Sequence, residues 1–136
     1  YFDELSKFIT KNEMKMMIKS PESLISNDEM MNYLKTYIQD MENAVYSPNR
    51  VNSDGKTYSD YMDVKSFIDF WMVNQIFKNV ELLFKSCYMY KDVGGKLYFG
   101  PIWDMDWTSG NHVNLQVQHL VAQRESGQRI LVPRAL

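Results

Sequence analysis

The spacing of apolar positions along the chain divides it into a few recognisable elements. Ser26-Asn27-Asp28-Glu29 has the form of a capping box, in which the Ser hydroxyl and the Glu carboxylate each satisfy a free backbone N–H at a helix start. After it Met30, Leu34, Tyr37, Ile38, Met41 and Val45 recur at steps of three and four, which predicts an amphipathic helix. Ser47-Pro48-Asn49 ends that helix near Tyr46, and Asn52-Ser53-Asp54-Gly55-Lys56 reads as an exposed turn. A second helix is predicted from Val64, with Asp63 as its N-cap, to Phe77. Apolar residues occupy nearly its whole circumference, so it is expected to be a buried spine touched on several sides. Cys87 to Asp92 and Lys96 to Phe99 suit a pleated surface, and Val93-Gly94-Gly95 between them predicts a hairpin. Ile102 to Trp107 reads as a short apolar strand. The segment from Tyr1 to Ser20 is apolar enough to fold but too irregular to assign.

Composition refines this picture mainly by exclusion. The chain has 136 residues and 14% aromatics, too many for a disordered segment and enough for one compact domain at most. A net charge of -2 provides no basic footprint for nucleic acid, so no nucleic-acid partner is expected. The longest mainly apolar run, Val64 to Phe84, is interrupted by Lys65, Asp69, Lys78 and Glu81, so no membrane insertion is expected. A single cysteine, Cys87, excludes an internal disulfide framework and a thiolate cluster, and at the start of a strand it is expected to be buried rather than reactive. Met16, Met17, Met30, Met31 and Met41 read as core fill. Residues 1–111 carry 12 basic and 16 acidic side chains, whereas residues 112–136 carry 3 and 1 and contain no aromatic residue. The two stretches are therefore assigned separately: 1–111 as a partial folded domain, 112–136 as a tail. For the tail an ordinary polar extension and a non-native or disordered segment both stay open, and its His112 and His119 lack companions at metal-ligand spacing.

Candidate chemistry centres on carboxylates. Asp104 and Asp106 are two residues apart; in extended backbone they point to opposite faces and cannot hold one ion together. A sharp turn after Asp104, which Thr108-Ser109-Gly110-Asn111 permits, would bring both to one hard cation such as Mg²⁺ or Mn²⁺. By spacing alone, a solvated or capping pair is the other account. The order of elements bears on the choice: a buried helix, a polar stretch with a carboxylate, a hairpin, then an Asp is the order in which a protein-kinase-like C-lobe assembles its site. Glu81, Ser86 and Asp104 fit the roles of catalytic carboxylate, polar metal ligand five positions on, and metal-holding Asp. Asn79 has two readings, a contact to cofactor or metal and a helix C-cap. Asn74, mid-helix among apolar neighbours, is expected to be a buried hydrogen-bonding residue tying the helix to a loop. Trp103 and Trp107 flank the Asp pair, read as core residues or as platforms for adenine or sugar.

Several motifs occur together in order: Ser66-Phe67-Ile68-Asp69-Phe70-Trp71-Met72-Val73-Asn74-Gln75, Lys78-Asn79-Val80-Glu81, Ser86-Cys87-Tyr88-Met89-Tyr90-Lys91-Asp92, Gly94-Gly95-Lys96-Leu97 and Gly100-Pro101-Ile102-Trp103-Asp104-Met105-Asp106. With the text upstream from Ile18, this series closely resembles the CotH kinase family, named for the spore coat protein H of spore-forming bacteria, over roughly Ile18 to Asn111.

That resemblance implies an α+β, partial protein-kinase-like fold, a helical C-lobe with a β-hairpin, and transfer of the γ-phosphoryl group of ATP to protein Ser hydroxyls with Mg²⁺ or Mn²⁺. It implies Glu81 as the catalytic residue and Asp104 and Ser86 as metal ligands; Asp106, two residues on, is a further metal candidate and Asn79 a candidate cofactor contact from their places in the sequence. It further implies a secreted or surface protein substrate and a place outside or on the surface of a bacterial cell. Glu81 stands where relatives carry Asp, one methylene shorter, and Ser86 where some carry Asn. Kinases grip nucleotide through a glycine-rich loop in an N-lobe, and here no Gly precedes Gly55, so the N-lobe is expected to lie outside this chain. The alternative to an active parent enzyme is a degenerate, non-catalytic domain used for binding or as a surface structure.

Overall fold

The structure, a computed structural model, describes residues 6–82 and 87–111. Over the described residues it is a mixed α+β fold with four helices and two small antiparallel hairpins, divided into two compact units at Asp63 and Val64. Ser86 and the tail 112–136 lie outside the described residues.

The first unit opens with strands β1 (Lys7–Ile9) and β2 (Lys15–Met17), paired with Phe8 opposite Met16. The irregular pattern from Tyr1 to Ser20 therefore contains a hairpin, and an acid rather than an apolar face anchors it. Glu42, buried, accepts hydrogen bonds from the Thr10 hydroxyl at 2.5 Å, the Asn12 N–H at 3.3 Å and the Gln39 amide at 2.9 Å. Short helix α1 (Glu22–Ile25) leads into α2 (Asp28–Tyr46), the amphipathic helix the sequence predicts, which buries Met31, Ile38, Met41 and Ala44. Its cap is one residue later than expected. Asn27 Oδ1 accepts from the Met30 N–H at 3.1 Å, while the Ser26 hydroxyl is engaged with the Ser23 carbonyl at the end of α1. The Asn52–Lys56 turn is present, with Gly55 at φ +76°, yet Asn52 is buried rather than exposed. Its Oδ1 accepts from the Asp54 and Lys56 N–H groups, and its Nδ2 donates to the Tyr61 hydroxyl at 2.7 Å. Tyr61 ends the one-turn helix α3 (Tyr58–Tyr61) and meets Tyr37 of α2 edge-on at 5.2 Å.

The second unit is built on α4 (Val64–Ile76), followed by strands β3 (Met89–Lys91) and β4 (Leu97–Phe99). The hairpin is as expected, in register Met89–Phe99, Tyr90–Tyr98 and Lys91–Leu97, and of its glycine pair Gly94 takes the positive φ, +71°. It packs on α4 through Phe99, whose ring lies 4.9 Å from Phe67 and 6.0 Å from Phe70, and whose N–H donates to Ser66 Oγ at 3.1 Å. The expectation of all-round burial for α4 is not met. Only Phe70 and Asn74 of α4 are buried, while Ile68, Met72 and Ile76 are about half exposed or more, because β4 is the described element that packs closely on it. Residues 102–107 form no strand: they follow Pro101 as an irregular loop and turn. Among the described residues no helix is long and apolar enough to cross a membrane.

Candidate functional site

The site grows from the C-terminal end of α4. Lys78 adopts the left-handed conformation at φ +51°; its N–H donates to the Gln75 carbonyl at 3.1 Å, and the Asn79 N–H donates to the Asn74 carbonyl at 2.9 Å. These two bonds, five-to-two and six-to-one respectively, make a Schellman motif in which Lys78, not Asn79, is the left-handed residue past the helix end. The motif turns the chain so that Asn79 and Glu81 point inward, both buried. Asn74 is the buried hydrogen-bonding residue that its position predicts. Its Nδ2 donates to the Phe70 carbonyl at 2.8 Å, and its Oδ1 accepts from Asn79 Nδ2 at 2.7 Å.

Asn79 faces inward across this junction. Its Oδ1 accepts from the Glu81 N–H at 3.0 Å, and its Nδ2, besides bonding Asn74, lies 3.5 Å from the Met105 sulfur. Both ends of the amide are thus engaged within the chain.

The loop carrying Asp104 and Asp106 reaches the same place by a bend. Asp104 has φ +60°, a left-handed conformation that breaks the two-residue alternation of extended backbone and removes the objection that the two side chains must diverge. Downstream the loop is tied down at both ends. The Thr108 hydroxyl donates to the Met105 carbonyl at 2.7 Å, Asn111 Nδ2 donates to the Asp106 carbonyl at 2.9 Å, and the Ser109 N–H donates to the Phe77 carbonyl at 2.7 Å, at the end of α4.

The outcome is a convergence of Glu81, Asp104 and Asp106: one oxygen from each carboxylate lies within 4.8 Å of the others, Glu81 buried and the two Asp exposed. Three anions this close repel one another, by about 0.9 kcal/mol per pair at the dielectric of water and about 3.5 kcal/mol at an effective dielectric of 20. The donor set suits a hard divalent cation. Mg²⁺ holds oxygens at about 2.0–2.1 Å, so ligands on opposite sides of the ion are about 4.2 Å apart, and the observed spread exceeds that by roughly half an ångström.

Of the five residues singled out from the sequence, three carboxylates come together, Asn79 stands behind them, and Ser86 lies outside the described residues. Sequence reasoning did not single out Met105; lying between the two Asp residues, it was available by position, but its sulfur contact with Asn79 depends on the bend at Asp104. Trp103 is 58% exposed, its ring edge-on to Tyr88, and Trp107 is 36% exposed, so neither is a core residue among those described. Cys87 is half-buried, and burial pushes its thiol up to about 11, the unreactive state expected of it. An open groove of about 750 Å³ in the first unit, lined by Tyr33, Tyr37, Tyr61, Asp40 and Lys56 among others, includes none of the three carboxylates.

Comparison with known proteins agrees with the motif order. No curated protein and no solved structure matches the chain at a significant level. The family model described as CotH kinase protein matches residues 3–133, a span that contains Asn79, Glu81, Asp104 and Asp106 and extends well past Asn111. The chain belongs to the CotH kinase protein family.

Proposed function

We propose that this chain carries the metal-holding and proton-accepting part of a kinase-like site, the C-lobe portion of a domain that transfers the γ-phosphoryl group of ATP to Ser hydroxyls of a secreted or surface protein. The observation that supports this reading most is the convergence of Glu81, Asp104 and Asp106 at the end of α4. Asp104 and Asp106, exposed, would hold Mg²⁺ or Mn²⁺. A cation there would supply charge neutralisation for the phosphoryl group in transfer. Glu81, with its backbone fixed by Asn79 and its carboxylate beside the Asp pair, accepts the proton of the attacking Ser hydroxyl. Ser86 is a further ligand in this reading, and the glycine-rich grip on the nucleotide comes from an N-lobe outside the chain.

A second reading has an observation of its own. Glu81 lies within the carboxylate cluster, so it can serve as a third metal ligand in a domain that binds nucleotide and metal without transfer. Both readings are tested by following label from γ-labelled ATP into a Ser-rich acceptor protein, with Mn²⁺, using the chain joined to its preceding lobe. Transfer that is lost in Asp104→Ala and persists or rises in Glu81→Asp supports the kinase. Nucleotide binding with no transfer in wild type and in Glu81→Asp supports the non-catalytic domain. Transfer unaffected by Asp104→Ala contradicts both.

A further inference from the structure

Two buried asparagines join the three pieces of the site, and neither is explained by helix capping alone. Backbone bonds already close the end of α4: the Lys78 and Asn79 N–H groups find the Gln75 and Asn74 carbonyls without any side chain. The Asn79 amide is therefore surplus to the cap, yet it is buried and fully engaged. Its oxygen fixes the backbone N–H of Glu81, and its nitrogen bonds Asn74 Oδ1 in the last turns of α4 and approaches the sulfur of Met105, midway between Asp104 and Asp106. A single planar group thus spans the helix, the carboxylate that precedes the hairpin and the loop that follows it. The polarity of the contacts also fixes its orientation. With Asn74 Nδ2 committed to the Phe70 carbonyl, Asn74 presents its oxygen, so Asn79 must present its nitrogen there and its oxygen to Glu81.

We infer that Asn79 is a positioning residue that sets the distance between the Glu81 carboxylate and the Asp104–Asp106 pair, so that the proton acceptor stands beside the divalent cation that the two Asp residues hold. The inference rests on the cation-site reading above and replaces a direct contact between Asn79 and cofactor. Groups behind the ligands of a metal site typically matter 10–100-fold in affinity, and that is the loss expected for Asn79→Ala.

The test is Mn²⁺ binding to the full chain, followed by electron paramagnetic resonance of the free ion, beside thermal melting of each variant. Asn79→Ala is expected to bind Mn²⁺ about 10–100-fold more weakly. Met105→Leu keeps the side-chain volume, removes the sulfur contact, and is expected to fold and to show a smaller loss in the same direction. Phe70→Leu, at the hairpin side of α4, lowers the melting temperature and is expected to leave Mn²⁺ affinity unchanged. Wild-type affinity in either folded variant at Asn79 or Met105, or an equal loss in Phe70→Leu, overturns the positioning role. Asp104→Ala separates the two levels: if it abolishes binding while the Asn79 variant binds normally, the site stands and the positioning role falls. If Asp104→Ala also binds normally, both fall.

Discussion

Replacing Asp106 with Asn should change the stability of the chain in opposite directions with and without metal. Asp106 is exposed, and its backbone carbonyl, which Asn111 holds, is untouched by the substitution. What changes is charge. Oxygens of Glu81 and Asp104 lie within 4.8 Å, so two repulsive pairs vanish. At that distance each is worth about 0.9 kcal/mol in a water-like dielectric, and exposure keeps the value near that figure rather than the roughly 3.5 kcal/mol of a drier site. Screening at 0.1 M salt reduces it by about a third to a half, since the Debye length is about 10 Å. A gain of about 1 kcal/mol is expected in EDTA at about 0.1 M salt, a rise in melting temperature of about 4–8 °C for a unit of this size. Saturating Mn²⁺ reverses the ranking. At a hundred times its dissociation constant, a ligand adds about 2.7 kcal/mol to the wild type, and Asp106→Asn gains much less because one charged ligand is gone. The assay is a pair of melting curves, in EDTA and in Mn²⁺, repeated at high salt. A variant that is less stable than wild type in EDTA, or that gains as much from Mn²⁺, would refute the electrostatic argument.

Two further expectations concern the second unit. Asn74→Ala removes two side-chain hydrogen bonds and leaves the Asn79 amide nitrogen with only the sulfur of Met105; against about 0.7 kcal/mol gained in helix propensity, a net loss of about 2–3 kcal/mol is expected by urea unfolding. A loss below about 0.5 kcal/mol would mean that the buried amide pair contributes little. Cys87, with its thiol at about 11 against an ordinary 9.0, should be about a hundredfold less ionised than a free thiol at pH 8, so iodoacetamide labels the native chain slowly and the unfolded chain fast. Because the folded state holds that proton more tightly, this residue's contribution to stability falls as pH rises from about 9 to 11 and is constant below; labelling of the native chain at the unfolded rate would contradict it.

What the sequence disclosed depended on whether the signal was local. The period of α2 and the glycine turn of the second hairpin are local patterns, and both elements occur where they were expected. The cap of α2 was misplaced by one residue because Ser26 belongs to the end of α1, a helix of one turn too short to leave a periodic signal. The first hairpin was illegible for a different reason. Its anchor is Glu42, about thirty residues away, and a buried acid on an amphipathic helix looks like a solvated one until its partners Thr10 and Asn12 are known. At the site, chemistry was easier to read than geometry. Residue types and order nominated Glu81, Asp104 and Asp106, but alternation along a strand argued against their meeting, and only the left-handed turn at Asp104 brings them together. Asn79 had two readings, and its spacing from Glu81 does not reveal which end of the amide faces the Glu81 N–H.

The central claim, a divalent-cation site held by Asp104 and Asp106 beside the Glu81 carboxylate, is tested most directly by titrating Mn²⁺ into the chain and into Asp104→Ala with Asp106→Ala together. The account predicts one tight Mn²⁺ per wild-type chain, competed by Mg²⁺ and absent from the double variant. Equal binding by both chains would contradict it.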